Sequence, residues 1–184
     1  MTDIDDLRDL LGAPAYSGPP FNWEAASAAI GANIPADFRA LVNAFGPGDI
    51  GTDVVLLAPG HPDSDYDQIG VHRERRAGLA EIWETELDGP PEFISKPAVF
   101  NEPGVEPVLW GYSTLGYYMY WVAKPGQDPA SWRLALDVAR DGSWEFHSGP
   151  VTSFLLGLLR GQITSRHLYF LSETEQHTFT PAPE

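Results

Sequence analysis

From Ala98 onward the apolar residues stop recurring at every third or fourth position and begin to alternate. That change of period fixes what the chain can become, because alternation places side chains on two sheet faces while a 3.6-residue period places them on one helix stripe. AVFNE (98–102), EPVLWGY (106–112), GYYMYWVA (116–123), SWRLALDVA (131–139) and SWEFH (143–147) read as five strands. They are separated by NEPG, STLG, KPGQDPA and RDG, connections too short for a crossover helix, so neighbouring strands run antiparallel. TDVVLLAP (52–59), β-branched and bounded by turn residues, is a further strand.

Before the change the pattern is helical. Residues 3–11 carry Ile4, Leu7 and Leu10/Leu11 on one stripe, and NWEAASAAIGA (22–32) opens on Asn22 as an N-cap. In IPADFRALVNAFGPG (34–48), Phe38, Leu41, Val42 and Phe45 share a face, and Gly46-Pro47 ends the helix. A helix over 68–87 places Ile69, His72, Arg76, Leu79, Ile82, Trp83 and Leu87 on one side, DGPPEFISKP is a connector, and GPVTSFLLGLLRGQI (149–163) is a final helix. The expected fold is α+β, a mainly antiparallel sheet of about five to six strands with N-terminal helices and a C-terminal helix packed on it. Residues 1–172 form one domain, and 173–184 are a loose tail.

IPADFRALVNAFGPGDI (34–50), VVLLAP (54–59), WGYSTLGYYMYWVAKPGQDPASWRLALDV (110–138) and SFLLGLLRGQI (153–163), in that order and spacing, resemble the SUKH superfamily. That group includes bacterial immunity proteins encoded beside polymorphic toxins and fungal regulators of cell-wall assembly. Family hairpins often carry an acidic or polar residue after the turn glycine, where this chain has Leu115-Gly116-Tyr117. The family has no shared catalytic constellation. The resemblance therefore implies binding, with a toxin domain as protein partner, and a regulatory or scaffold module as the second reading. A small-molecule-binding domain built around the aromatic hairpin is the third.

The chain has 26 acidic residues against 11 basic ones, a formal net charge of −15. Such a surface repels phosphate backbones and anionic headgroups, which argues against direct nucleic-acid or membrane binding, and it attracts a basic partner. There is no cysteine, and no apolar run approaches a membrane span, so a cytoplasmic protein is expected.

Three groups of residues bear on chemistry. Asp63, Asp65, Asp67 and Glu74 fill four positions of a helix–loop–helix calcium loop, but Gln68 stands where the turn needs glycine and Gly70 where an apolar anchor belongs. Ala58-Pro59-Gly60-His61-Pro62 also forbids the entering helix, so these acids read as the N-terminal dressing of the next helix. Gly111 to Gly116 is one residue too long for a nucleophile elbow, and the five histidines show no metal-binding spacing. No cofactor, metal or catalytic residue is expected.

What remains is aromatic. Alternation groups Met119, Trp121, Trp132, Leu134, Leu136, Trp144 and Phe146 as core, and leaves Tyr118, Tyr120, Arg133, Asp137, Glu145 and His147 on the other face. If that face is open, tyrosines beside acids suit a protein interface; if helices cover it, they are core. The candidate partner-binding residues are Asp63, Asp65, Asp67, Tyr118, Tyr120, Asp137 and Glu145.

Overall fold

The computed structural model describes residues 2–87, 89–90, 95–139, 142–174 and 176–183. Parts of the expected connector over 88–97 and of the RDG turn lie outside them. The fold is α+β, as the change of period requires. Helices α1 (Asp3–Leu11), α2 (Trp23–Ile30) and α3 (Ala36–Phe45) precede strands β1 (Gly48–Ile50) and β2 (Val54–Leu56), and the long helix α4 (Gln68–Glu86) follows. Then come β3 (Glu106–Ser113), β4 (Tyr117–Ala123), β5 (Leu134–Val138), β6 (Trp144–His147), α5 (Val151–Leu159), α6 (Tyr169–Glu173) and β7 (Phe179–Pro181).

The seven strands form one sheet in the order β6-β5-β4-β3-β2-β1-β7, with every neighbouring pair antiparallel. Each face has its own core. On one face, Val108, Trp110, Met119, Trp121, Leu134 and Leu136 meet the apolar stripes of α1, α3 and α5. Phe38 stands edge-on to Trp121 at 5.0 Å, an arrangement that sets the positive ring edge against the negative face. On the other face Val55, Leu57, Leu109, Tyr120, Val122 and Ala135 pack beneath Leu79 and Trp83 of α4. Among the described residues no helix is long and apolar enough to cross a membrane.

Four expectations are corrected. AVFNE is not a strand: Ala98–Asn101 is a 3₁₀ turn opened by Pro97, whose carbonyl accepts the Phe100 N–H at 3.0 Å. The segment beyond Glu173 is not loose throughout, because β7 pairs with β1 and its Phe179 packs against Phe45 at 5.5 Å. Gly48 permits that pairing, since a Cβ there would stand 2.4 Å from the Thr180 carbonyl oxygen. The helix over 149–163 stops at Leu159 and is not the last, as α6 follows.

The fourth correction concerns β6. Its register sets Asp137 opposite Trp144 and Leu136 opposite Glu145, so Trp144 and Phe146 belong to the α4 face. Glu145 and His147 take the face of Leu134 and Leu136. With apolar cores on both sides of the sheet, an apolar residue on an edge strand does not say which side it faces.

Candidate functional site

The loop between β2 and α4 is built by Asp67. Its Oδ1 accepts N–H groups from Gly60 (2.8 Å) and Ile69 (3.2 Å), and its Oδ2 accepts from Gly70 (3.0 Å). This is an N-cap that also ties the loop entrance to the helix start, where unpaired amide protons and the helix dipole favour a carboxylate. Gly70 leaves the cap room, since a Cβ there would lie 2.9 Å from Asp67 Oδ2. Asp63 Oδ1 accepts the Asp65 N–H at 3.0 Å, closing a local turn, and the Asp65 side chain is exposed. These carboxylates dress a helix entrance, so millimolar calcium is expected to leave the thermal midpoint unchanged; an upward shift in a calorimetric scan would overturn that assignment.

Around the loop the fold assembles a patch of acids and phenols. The Tyr66 hydroxyl donates to Asp49 Oδ2 at 3.0 Å, and the Tyr112 hydroxyl donates to the Asp65 carbonyl at 3.1 Å. Tyr112 stacks on Tyr118 with ring centroids 6.2 Å apart, so the patch runs from β1 across the loop to the β3–β4 hairpin. Burial, then Asp49, pushes Tyr66 up to about 12. Burial, then Asp65, Asp49 and Asp63, pushes Tyr112 up to about 12. Asp49 and Asp63 act on both phenols, so the two rings border the same acids, and both remain O–H donors at neutral pH. Burial also raises the carboxyl of Asp49, against the Tyr66 hydrogen bond. At the hairpin end the Arg75 guanidinium lies over the Tyr118 ring at 4.1 Å.

No family model, curated protein or solved structure matches the chain.

The structure brings Asp63, Asp65 and Tyr118 into this patch and gives Asp67 a capping role at its base. Tyr120 and Asp137 are corrected as contact residues: they are 1% and 2% exposed beneath α4. Arg75 reaches down from α4 to bond Asp137 Oδ2 at 2.5 Å and the Tyr120 hydroxyl at 2.8 Å, and Tyr120 donates to Asp137 Oδ1 at 3.1 Å. The network pins the helix to the sheet.

Glu145 is likewise an internal organiser. One oxygen pairs with His147 Nε2 at 2.5 Å; the other accepts from Ser165 Oγ (3.2 Å) and from the N–H groups of Arg166 (2.9 Å) and His167 (3.3 Å). Ser165 Oγ in turn accepts the N–H groups of His167 and Leu168, at 3.2 and 3.0 Å. A serine so engaged caps the turn that leads into Leu168. Among the described residues no group of three or more His, Asp or Glu side chains could hold a metal ion.

Sequence reasoning missed Asp49, Tyr66 and Tyr112. Asp49 sits in a three-residue strand, too short to show a period. Tyr112 was hidden by a bulge: the β3 register shifts between Leu109 and Gly111, so Tyr112 leaves the face of Trp110 and lies opposite Tyr118. Counting back from the Thr114-Leu115-Gly116 turn would have paired Tyr112 with Tyr118 without knowledge of the bulge. Tyr66 carried a signal that was overlooked, an aromatic placed between two of the loop aspartates.

Proposed function

We propose that this chain is a non-enzymatic binding protein that neutralises a basic toxin domain by direct contact, in the manner of a SUKH-type immunity protein. The observation that carries the reading is the patch of Asp49, Asp63, Asp65, Tyr66, Tyr112 and Tyr118. The carboxylate of Asp49 is held by the Tyr66 hydroxyl and that of Asp63 by a local turn, Asp65 stands exposed beside them, and the tyrosines offer wide rings with polar tips. Tyrosine suits an interface because it adds contact area with few rotatable bonds. The net charge of −15 supports the same reading, since a field of that sign draws in a cationic partner and raises the encounter rate. A toxin that grips phosphate would present the complementary surface.

A toxin domain is expected to be encoded next to this chain's gene, and the test is co-expression with it. The wild-type chain is expected to restore growth and to co-purify with the toxin domain. Asp63→Lys/Asp65→Lys is expected to weaken the complex about 10- to 100-fold at low salt, with the deficit shrinking as salt is added. A wild-type chain that neither protects nor co-purifies would remove this reading.

A further inference from the structure

On the other side of the His61 loop a cleft of about 630 Å³ opens next to the acid–tyrosine patch. Phe45 lies at its floor. One wall is the chain over 14–22, where Tyr16 stacks on Phe21 at 5.0 Å; the others are formed by 59–62 and 181–183. The first wall is tied down by the Tyr16 N–H on the Ala44 carbonyl at 3.0 Å. Gly46 admits the Tyr16 ring, since a Cβ there would stand 2.4 Å from it, and φ at Gly46 is +73°. The third wall is held through β7 and by the Ala182 N–H on the Pro47 carbonyl at 3.0 Å.

Eight of the lining residues are prolines. A proline has a fixed φ and no N–H, so such walls are stiff and cannot zip together through their own hydrogen bonds. The cleft is therefore preformed, and its size is that of a site for one large side chain or a small ligand.

His61 is the ridge between cleft and patch. It lines the cleft, its ring meets Tyr66 edge-on at 5.6 Å, and its Nδ1 accepts the Asp63 N–H at 3.2 Å. The acids thus begin one side chain beyond the cleft rim. We infer that the cleft receives an aromatic side chain of the partner, carried on a basic segment whose Lys and Arg residues reach Asp63, Asp65 and Asp49. The inference rests on the basic-partner reading above. A second copy of this chain is the poorer occupant, because two chains of charge −15 repel.

Fluorescence polarisation with the labelled peptides KRKWKRK, KRKAKRK and EDEWEDE tests it. The wild-type chain is expected to bind KRKWKRK at least about 10-fold more tightly than KRKAKRK, the effect of burying one indole, and to bind EDEWEDE most weakly. Ala15→Trp, which fills the cleft from an exposed position, is expected to erase the preference for KRKWKRK while leaving the melting temperature and the KRKAKRK affinity unchanged. Equal binding of KRKWKRK and KRKAKRK, or a preference that survives Ala15→Trp, would overturn the cleft assignment and leave the basic-partner reading standing. EDEWEDE binding as tightly as KRKWKRK would show a general apolar pocket and overturn it too. If Asp63→Lys/Asp65→Lys weakens neither basic peptide, the basic-partner reading fails, and the inference with it.

Discussion

Arg75→Met is expected to cost this fold about 3–5 kcal/mol, the largest loss of any single substitution argued from its polar groups. Arg75 is the guanidinium partner of Asp137, whose side chain is 2% exposed, and its own side chain is 12% exposed. Without it the carboxylate keeps, among the described residues, only the Tyr120 hydroxyl as a hydrogen-bond donor and has lost access to water. The variant also loses the guanidinium stacked over Tyr118. Burial already raises the Asp137 carboxyl, with Arg75 and then the Tyr120 hydrogen bond opposing it. In Arg75→Met the opposition from Arg75 disappears, so the folded-state pKa rises further above the unfolded one. A carboxyl raised in this way has its stability intact at low pH and loses it as pH climbs through the folded-state value. The deficit of the variant should therefore shrink as pH is lowered from neutral towards 5. Arg75→Met/Asp137→Asn should recover most of it, because a neutral amide still accepts the Tyr120 hydroxyl. Urea melts of the two variants across that pH range provide the measurement. A deficit below about 1 kcal/mol, or one independent of pH, would show that the network does not hold α4 to the sheet.

How far the sequence could be read follows from where periodicity carries information. The hairpin strands β3 to β5 and helices α1 to α3 were legible because each has a turn residue at its border and an apolar set on one period. Asn22 was legible as a cap for the same reason, a short polar side chain standing directly before an apolar pattern, whereas Asp67 was legible only as one of three acids at a helix start. What could not be read was which face a residue joins when both faces of the sheet are dry. Trp144 and Phe146 are apolar and in phase, yet they pack under α4 and not with Trp121. The pattern of α4 gave little warning that it would cover the second face, since Ile82 and Leu87 of the expected stripe are exposed while Gln68, outside that stripe, is buried. Polar residues fasten this helix: Gln68 Nε2 donates to the Leu109 carbonyl at 3.1 Å, and Arg75 ties it to Asp137. Hydrophobic pattern alone cannot reveal an attachment of that kind. The same blind spot turned Tyr120 and Asp137 into candidate contacts, and the bulge at Trp110 hid Tyr112. For the patch itself, local turn chemistry pointed to Asp63 and Asp65, but only the strand order brings Asp49 beside them.

Acidification should weaken the fold through His72, in a window set by its two pKa values. His72 is 5% exposed between α4 and β3, and its Nδ1 accepts the Leu109 N–H at 3.2 Å. That bond leaves the proton of the neutral ring on Nε2. A second proton would have to enter at Nδ1, directly against the Leu109 N–H. Burial, then Arg76, lowers the His72 pKa from 6.5 to about 4, with Glu106 opposing. The sign follows from proton counts: between 6.5 and about 4 the unfolded chain holds this proton and the folded chain does not. Stability is therefore intact above 6.5, falls as pH drops through the window, and levels off below about 4. A shift of this size corresponds to about 3 kcal/mol lost across the window. Asp49 and Asp137, both raised by burial, act in the opposite sense where they take up protons, so the wild-type profile sums several groups. His72→Asn separates the contributions: its side-chain oxygen stands near the place of Nδ1 and can keep the Leu109 N–H bonded, while nothing at that position titrates. The difference in unfolding free energy between wild type and His72→Asn should move steadily against the wild type as pH falls from 7 to 4. A difference that stays constant over that range would mean that His72 takes up its proton in the folded state as readily as in the unfolded one, and that the bond to Leu109 does not hold the ring neutral.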